Sequence, residues 1–268
     1  MSGETIIYER SGQAATIWFN RPASRNAFTR EMSEAFREAV ARASADPEVR
    51  VILYRGKGDD FCAGSALDDL QVEDLGKMLT SFDPTTHNGF PSIFKGVEPI
   101  RNDDIPKLTI AVVHGYAVGG GFEIAVEADL AVVAEDAKIG DFHIRQGLIG
   151  GAGVLANLAR MIGVRRTKEI VFTGKIVSGA EAAEWGLVNQ AVPLTELDGA
   201  VARLVGELTR HPAGVTRLAK MAYGRSLDAD KDTLAVMERL LLAAVLLSDD
   251  AREGVESFLE KREPNWRE

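Results

Sequence analysis

Four β-branched apolar runs set the strongest limit on how this chain can fold. They are "ATIWFN" (15–20), "VRVILYRG" (49–56), "LTIAVVHG" (108–115) and "ADLAVVAED" (128–136). Each reads as a short buried strand. Between the first two, "TREMSEAFREAVARASAD" (29–46) repeats apolar residues at helical spacing, with Thr29 placed to cap the helix. Strands that alternate with helices need crossover connections, and crossovers give parallel pairing. The expected class is α/β.

The character changes near Leu197. "VARLVGELTR", "AGVTRLAKMAYGRSL", "TLAVMERLLLAAVLLSDD" and "AREGVESFLEKR" are helical, and no strand is read after them. The third is apolar on nearly every side, as a helix buried against another subunit would be. The expected organisation is an α/β core over 1–196 and a helical region over 197–268. The stretch from Gly76 to Asp104 is polar and punctuated by glycine and proline, and reads as a wall over a site.

Composition excludes several function classes. The net charge is −9, which argues against a nucleic-acid binder. No apolar run approaches the roughly 20 residues of a membrane span, and the N-terminus lacks the pattern of a signal peptide. The single cysteine, Cys62, allows no internal disulfide and fits a reducing, cytoplasmic setting. Four histidines and one cysteine, with no HxxxH or CxxC spacing, give no metal-site signature.

The segment "GYAVGGGFE" (115–123) lies after a strand and opens a helix. Three consecutive glycines destabilise a helix interior by roughly 1 kcal/mol each, so something at Gly119, Gly120 and Gly121 must compensate. One reading is close packing of the helix on a strand. The other is an anion site, because a helix N-terminus offers unpaired N–H groups and a partial positive charge. The spacing is neither a dinucleotide fingerprint nor a P-loop. A second glycine-bearing loop, "GKGDDFCAGSALDDL" (56–70), also follows a strand. Two such loops can each give one N–H to the same oxygen and form an oxyanion hole.

Five motifs now stand in order: "NRPASRNAFTREM" (20–32), "FCAGSAL", "HGYAVGGGFEIAVEADLAVVAEDAKIG", "VFTGKIVSGAEAAEWGLVNQAVP" and "FLEKREP". Together they resemble the enoyl-CoA hydratase/isomerase (crotonase) family over nearly the whole chain. The resemblance implies ββα units wound into a right-handed spiral, followed by a helical region that forms trimers, often paired into hexamers. It implies a coenzyme A thioester as substrate and no permanently bound cofactor.

The resemblance also assigns residues. The thioester oxygen would lie between the backbone N–H groups of Ser65 and Gly120, each donor worth roughly 10²- to 10³-fold in rate. The Ala63 backbone would meet the adenine. Arg25 is the candidate for the ligand's phosphates. Phe258 and Lys261 match tail positions that touch the adenosine part, often from a neighbouring subunit. Glu123 matches the first catalytic glutamate, and its plainer reading is a first-turn acid favoured by the helix dipole.

The pattern breaks at "KIGDFHIRQGLIGGAG" (138–153). The family's second glutamate falls on His143, and the proline before it on Phe142. Asp141 is placed to orient the imidazole or to replace it. The aspartate of AGxD is absent; Ala66 stands there, with Asp68 and Asp69 beyond. A histidine titrating near neutrality can serve as a general base. The expected reaction is hydration of a 2-enoyl-CoA by Glu123 and His143. The alternatives are hydrolytic cleavage of a C–C bond in a β-diketone, double-bond isomerisation, or a non-catalytic role such as the RNA binding of some relatives. His114 is read as a structural hydrogen-bonding residue, His211 as a cap or surface residue, His87 as a possible wall of the acyl pocket, and Cys62 as a small buried residue.

Overall fold

The computed structural model describes residues 4–66, 102–151 and 153–266. His87, Asp68, Asp69 and most of the wall expected over 76–104 lie outside the described residues; at its end, Asn102–Asp104 form a single 3₁₀ turn.

One sheet runs in the order β1-β2-β3-β4-β6-β9, built from Ile6–Ser11, Ala14–Phe19, Val51–Gly56, Leu108–Val113, Leu130–Ala134 and Gln190–Val192. Among the described residues of this sheet only β1 and β2 pair antiparallel; β2, β3, β4, β6 and β9 are successive parallel neighbours. The four apolar runs are thus β2, β3, β4 and β6, the middle of the sheet. In β3, β4 and β6 the near-continuous apolarity has a direct cause, since alternate residues are buried on opposite faces, whereas β2 buries only Ala15, Ile17 and Phe19. Ile52, Tyr54, Ala111, Val113, Ala131 and Val133 face the larger core. Val51, Leu53, Ile110, Val112 and Val132 face the other, where Leu197, Ala200 and Val201 cover them.

A smaller sheet joins β5 (Tyr116–Val118), β7 (Lys138–Gly140) and β8 (Val177–Ser178). β4 and β6 are each followed within a few residues by a strand of this second sheet, β5 and β7. After β3 the chain makes the same move, and Cys62 bridges to Ala117 of β5. Each strand pair therefore turns the chain from one sheet into the other, and the parallel crossovers wind these units into a right-handed spiral. This is the α/β crotonase-like architecture that the motifs implied. The short strands β1, β5, β7, β8 and β9 carry no apolar run long enough to be read as strands in advance.

The helices are α1 (Arg30–Ala45), α2 (Gly120–Glu127), α3 (Ala159–Thr173), α4 (Gly179–Glu184), α5 (Leu197–Thr209), α6 (Ala213–Arg225), α7 (Lys231–Leu246) and α8 (Asp249–Glu260). Thr29 caps α1 as expected, its hydroxyl accepting from Met32 N. α1 buries Met32, Ala39, Val40 and Ala43 against the large core. α6 and α7 bury no residue fully within the chain. Leu240, Leu242, Leu246 and Leu247 are all more than half exposed.

Candidate active site

The first wall of the site is built by the segment 20–28. Asn26 is fully buried in a left-handed conformation, with φ 56°. Its amide donates to Lys57 O at 2.9 Å and Asp60 O at 2.7 Å, and its oxygen accepts from Arg21 N at 2.8 Å. Two residues on, Phe28 N donates to Gly64 O, and Ala66 N donates to Phe28 O, both at 2.7 Å. The 62–66 loop is thus laid beside the 25–28 segment. Phe28 and Phe61 both pack edge-on against Phe19, at 5.0 and 5.2 Å between ring centres, which ties this loop to the core. Asn26 is the organising residue that the sequence reading passed over; its place between arginine and alanine in the N-terminal signature was the available signal.

The second wall is the turn into α2, and its three glycines do three different things. Gly119 has φ 55° and ψ −127°, a conformation that side chains other than glycine's seldom adopt. A Cβ on Gly120 would meet nothing closer than Gly64 Cα at 3.5 Å and would lie 3.7 Å from Ser65 Oγ. A Cβ on Gly121 would stand 2.2 Å from Cys62 O, so this glycine lets the helix press against the first loop. Close packing, one of the two readings of the run, is present at Gly121, whereas a side chain at Gly120 would meet only ordinary contacts. Gly64, at φ 96°, completes the join: a Cβ there would lie 3.0 Å from Gly120 N. Among the described residues, neither Ser65 N nor Gly120 N has a hydrogen-bond acceptor.

Glu123 stands in the first turn of α2 and is 6% exposed. Its Oε1 accepts from Gly151 N at 2.8 Å and lies 3.7 Å from His143 Nε2. His143 follows β7 on a 3₁₀ turn, and its Nδ1 is 2.5 Å from Asp141 Oδ1. Asp141 is buried. Between the two, Phe142 adopts φ 54°, and His143 N donates to Asp141 O at 2.6 Å across it. A bulky residue with positive φ is strained, and strain of this kind gathers at working sites. The turn is closed by Gly150, where a Cβ would stand 2.6 Å from Asp141 Oδ1 and 3.2 Å from His143 Nδ1. One dipeptide, Gly150–Gly151, thus packs on the aspartate–histidine pair and hydrogen-bonds the glutamate. The sequence reading assigned it no role.

Burial pushes the Glu123 carboxyl above the ordinary carboxylate range; the His143 charge and the Gly151 N–H pull it back, and Asp141 raises it further. Burial alone would lower the His143 imidazole. The hydrogen bond to Asp141 and the charges of Glu123 and Asp141 outweigh it and leave it above the ordinary histidine value. Cys62 is buried and its thiol is pushed up to about 12, so it holds no thiolate for nucleophilic work.

The remaining predicted residues are placed as follows. Ala63 N already donates to Arg25 O at 2.9 Å, so the backbone group left at Ala63 for a ligand is its carbonyl. Arg25 lies 3.6 Å from Asp60 and stacks over Tyr116 at 4.9 Å, as Lys138 does at 4.6 Å. These side chains border a polar cavity of about 450 Å³ that Glu123 and His143 do not line. Phe258 and Lys261 are at the end of α8, which packs on α7; Phe258 is 82% exposed and Lys261 caps the helix in a left-handed conformation. Among the described residues, neither makes a polar contact with Glu123, His143, Ser65 or Gly120. His114 Nε2 bonds Gly58 O at 2.8 Å, the structural role expected of it. His211 is exposed and its carbonyl accepts from Arg50. No cluster of metal-binding side chains occurs among the described residues.

The sequence and the fold have counterparts. The family described as enoyl-CoA hydratase/isomerase matches residues 9–268. The human enoyl-CoA hydratase domain-containing protein 2, mitochondrial, is 34% identical over 257 residues, covering 93% of this chain and 84% of that protein. The crotonyl-CoA hydratase of Syntrophomonas wolfei is 29% identical over 268 residues, covering 99% of both. The crystal structure of enoyl-CoA hydratase from Mycobacterium tuberculosis H37Rv superposes with a TM-score of 0.85 at 28% identity, over 98% of each chain. A family match spanning nearly every residue, on a fold shared with solved hydratases, makes this chain an enzyme of the enoyl-CoA hydratase/isomerase family.

Proposed function

We propose that the protein adds water across the double bond of a 2-enoyl-CoA thioester, with Glu123 and His143 as the acid–base pair. The observation that carries this reading is the 3.7 Å approach of His143 Nε2 to Glu123 Oε1, beside the Gly120 turn. The thioester oxygen accepts from Ser65 N and Gly120 N, which gather the negative charge that develops as the alkene is attacked. His143 Nε2 takes a proton from water while its oxygen bonds Cβ. Glu123, whose carboxyl burial shifts toward the protonated form, gives its proton to Cα. The pair ends as imidazolium and carboxylate, and a proton passing from Nε2 to Oε1 restores it.

Arg25 and the Ala63 carbonyl are the groups for the nucleotide end of the ligand, with Phe258 and Lys261 reaching it from a neighbouring copy. The exposed leucines of α7 support a homotrimer, or a hexamer of two trimers, in which that face is covered. The same reading keeps the division into a spiral core over 1–196 and a helical region over 197–268. It places the protein in the cytoplasm, in line with a lone buried cysteine and the absence, among the described residues, of a helix long and apolar enough to cross a membrane.

The test is loss of the conjugated enoyl-thioester absorbance of crotonyl-CoA and longer 2-enoyl-CoAs. Glu123→Gln and His143→Ala should each lower kcat by roughly 10²- to 10⁴-fold. Undiminished turnover in either variant overturns the assignment. The Asp141–His143 contact is also what a water aimed at a carbonyl would require, so a β-diketone is the second substrate class to assay.

A further inference from the structure

We propose that Asp141 is a positioning residue for the acid–base pair: it holds the proton on His143 Nδ1, so that Nε2 is the bare nitrogen facing Glu123. The inference rests on the reading of His143 as the base. Three independent features of the backbone carry it. The strained Phe142 turn brings Asp141 Oδ1 to 2.5 Å from Nδ1. Gly150 closes over that contact so tightly that a methyl group would strike the carboxylate. Gly151, the next residue, fixes Glu123 Oε1 through its N–H, on the side of the ring that Nε2 faces.

A neutral imidazole carries its proton on one nitrogen, and the partner of the other decides which. A buried carboxylate accepts and cannot donate, so Nδ1 must be the donor. Were the proton on Nε2 instead, two acceptors would meet at 2.5 Å and the ring's lone pair would face Asp141 rather than water in the cleft. Asp141 thereby converts a histidine that could hold either tautomer into one that can act only as a base toward the cleft. The charged groups facing the ring among the described residues are Asp141 on its own turn and Glu123 from α2; the 148–151 loop packed against it brings no titratable side chain.

The sign of the pH effect follows. The pair works with one proton shared between Glu123 and His143, and fails when it holds two or none, which gives a bell-shaped profile. Replacing Asp141 by asparagine removes one negative charge beside the pair, so both of its protonations become harder and both limbs move to lower pH. The loss of charge alone moves the limbs; a purely structural role for Asp141 would change stability and leave the His143 tautomer and the kcat of the folded variant as they were.

The experiment has two arms. Selectively ¹⁵N-histidine-labelled full-length protein, with no substrate, is examined at alkaline pH, and His143 is identified by its absence in His143→Gln. The expected spectrum shows a protonated Nδ1 and a bare Nε2; a protonated Nε2 overturns the proposal. In the second arm, Asp141→Asn should lower kcat by roughly 10²- to 10⁴-fold with KM nearly unchanged, and shift both limbs of the profile downward. Wild-type kcat and limbs in that variant also overturn it. If the wild-type protein turns over no 2-enoyl-CoA, the functional reading fails by itself, and the tautomer measured in the first arm still decides the role of Asp141.

Discussion

The glycine run offers a test in which neighbouring substitutions should behave in opposite ways. A glycine-to-alanine change inside a helix normally stabilises by about 1 kcal/mol. At Gly121 the added Cβ would stand 2.2 Å from Cys62 O and 2.8 Å from Cys62 C. Ordinary contact begins near 3.4 Å. The helix and the 62–65 loop must therefore separate by about 1 Å, and both sides of the contact are backbone, which cannot rotate aside. Overpacking of this kind costs about 1–3 kcal/mol, which cancels the propensity gain or exceeds it. The same movement draws Gly120 N away from Ser65 N, and a misplacement of about 1 Å can cost 10²-fold in rate. At Gly120 the nearest neighbour is 3.5 Å away, so alanine fits the fold without strain. Its methyl group would lie 3.7 Å from Ser65 Oγ, against the loop that carries the other proposed donor. The expected result is that Gly121→Ala loses stability and activity together, whereas Gly120→Ala keeps its stability and loses activity. Thermal unfolding and enoyl-thioester decay, measured on both variants, decide it. A Gly121→Ala protein as stable and active as the wild type would refute the close-packing argument, and an active Gly120→Ala would refute the oxyanion one.

Two further outcomes follow from the helical region. The Lys220 side chain on α6 is 5% exposed and bonds Asp129 Oδ2 at 2.7 Å and Lys107 O at 2.9 Å, so Lys220→Met should destabilise the protein by about 3 kcal/mol, and adding Asp129→Asn should recover much of that loss in denaturant titrations; a single variant within the error of wild type would count against the pair. Replacing Leu240 and Leu246, 66% exposed each, with arginine should turn a trimer or hexamer into smaller species in sedimentation, and a wild-type monomer would remove the proposed interface.

How much of this was legible in the sequence depended on what kind of interaction each element uses. β3, β4 and β6 could be read because both faces are buried and nearly every position is apolar, and β2 because its β-branched and aromatic residues stand in one run, buried at every second position. β5, β7, β8 and β9 could not, since strands of two or three residues owe their pairing to the turns that deliver them. Thr29 declared its helix because capping is a local interaction. Glu123 and Gly120 were found through a motif. Asn26 and Gly151 act instead through hydrogen bonds to residues 28 or more positions away, the Asn26–Arg21 bond apart, and Gly150 through close packing on Asp141 and His143. No periodicity encodes such contacts. The leucines of α7 were read as buried against a partner subunit, and within one chain they are left uncovered.

Replacing a second carboxylate with an imidazole changes the electrostatics of the pair. Two carboxylates repel, and each makes the other's ionisation harder. Glu123 and His143 attract when both are charged, which favours carboxylate and imidazolium, whereas burial disfavours both charges and favours the neutral acid and the neutral base. In the proposed mechanism these two arrangements are the two ends of the reaction. The neutral pair is ready to add water, and the charged pair is ready to remove it, taking the Cα proton on Glu123 and giving one to the departing hydroxyl from His143. They differ by one proton moved across 3.7 Å. Burial and attraction oppose each other, so neither arrangement is favoured by the full strength of either effect. Asp141 bears on this balance because its charge stabilises the imidazolium. An enzyme with a carboxylate behind its histidine is therefore shifted toward the dehydrating arrangement, and Asp141→Asn should slow the dehydration of a 3-hydroxyacyl-CoA as well as the hydration of the enoyl thioester. Microscopic reversibility fixes the ratio of the two catalysed directions at equilibrium, so the variant can change both rates but not the final ratio of products.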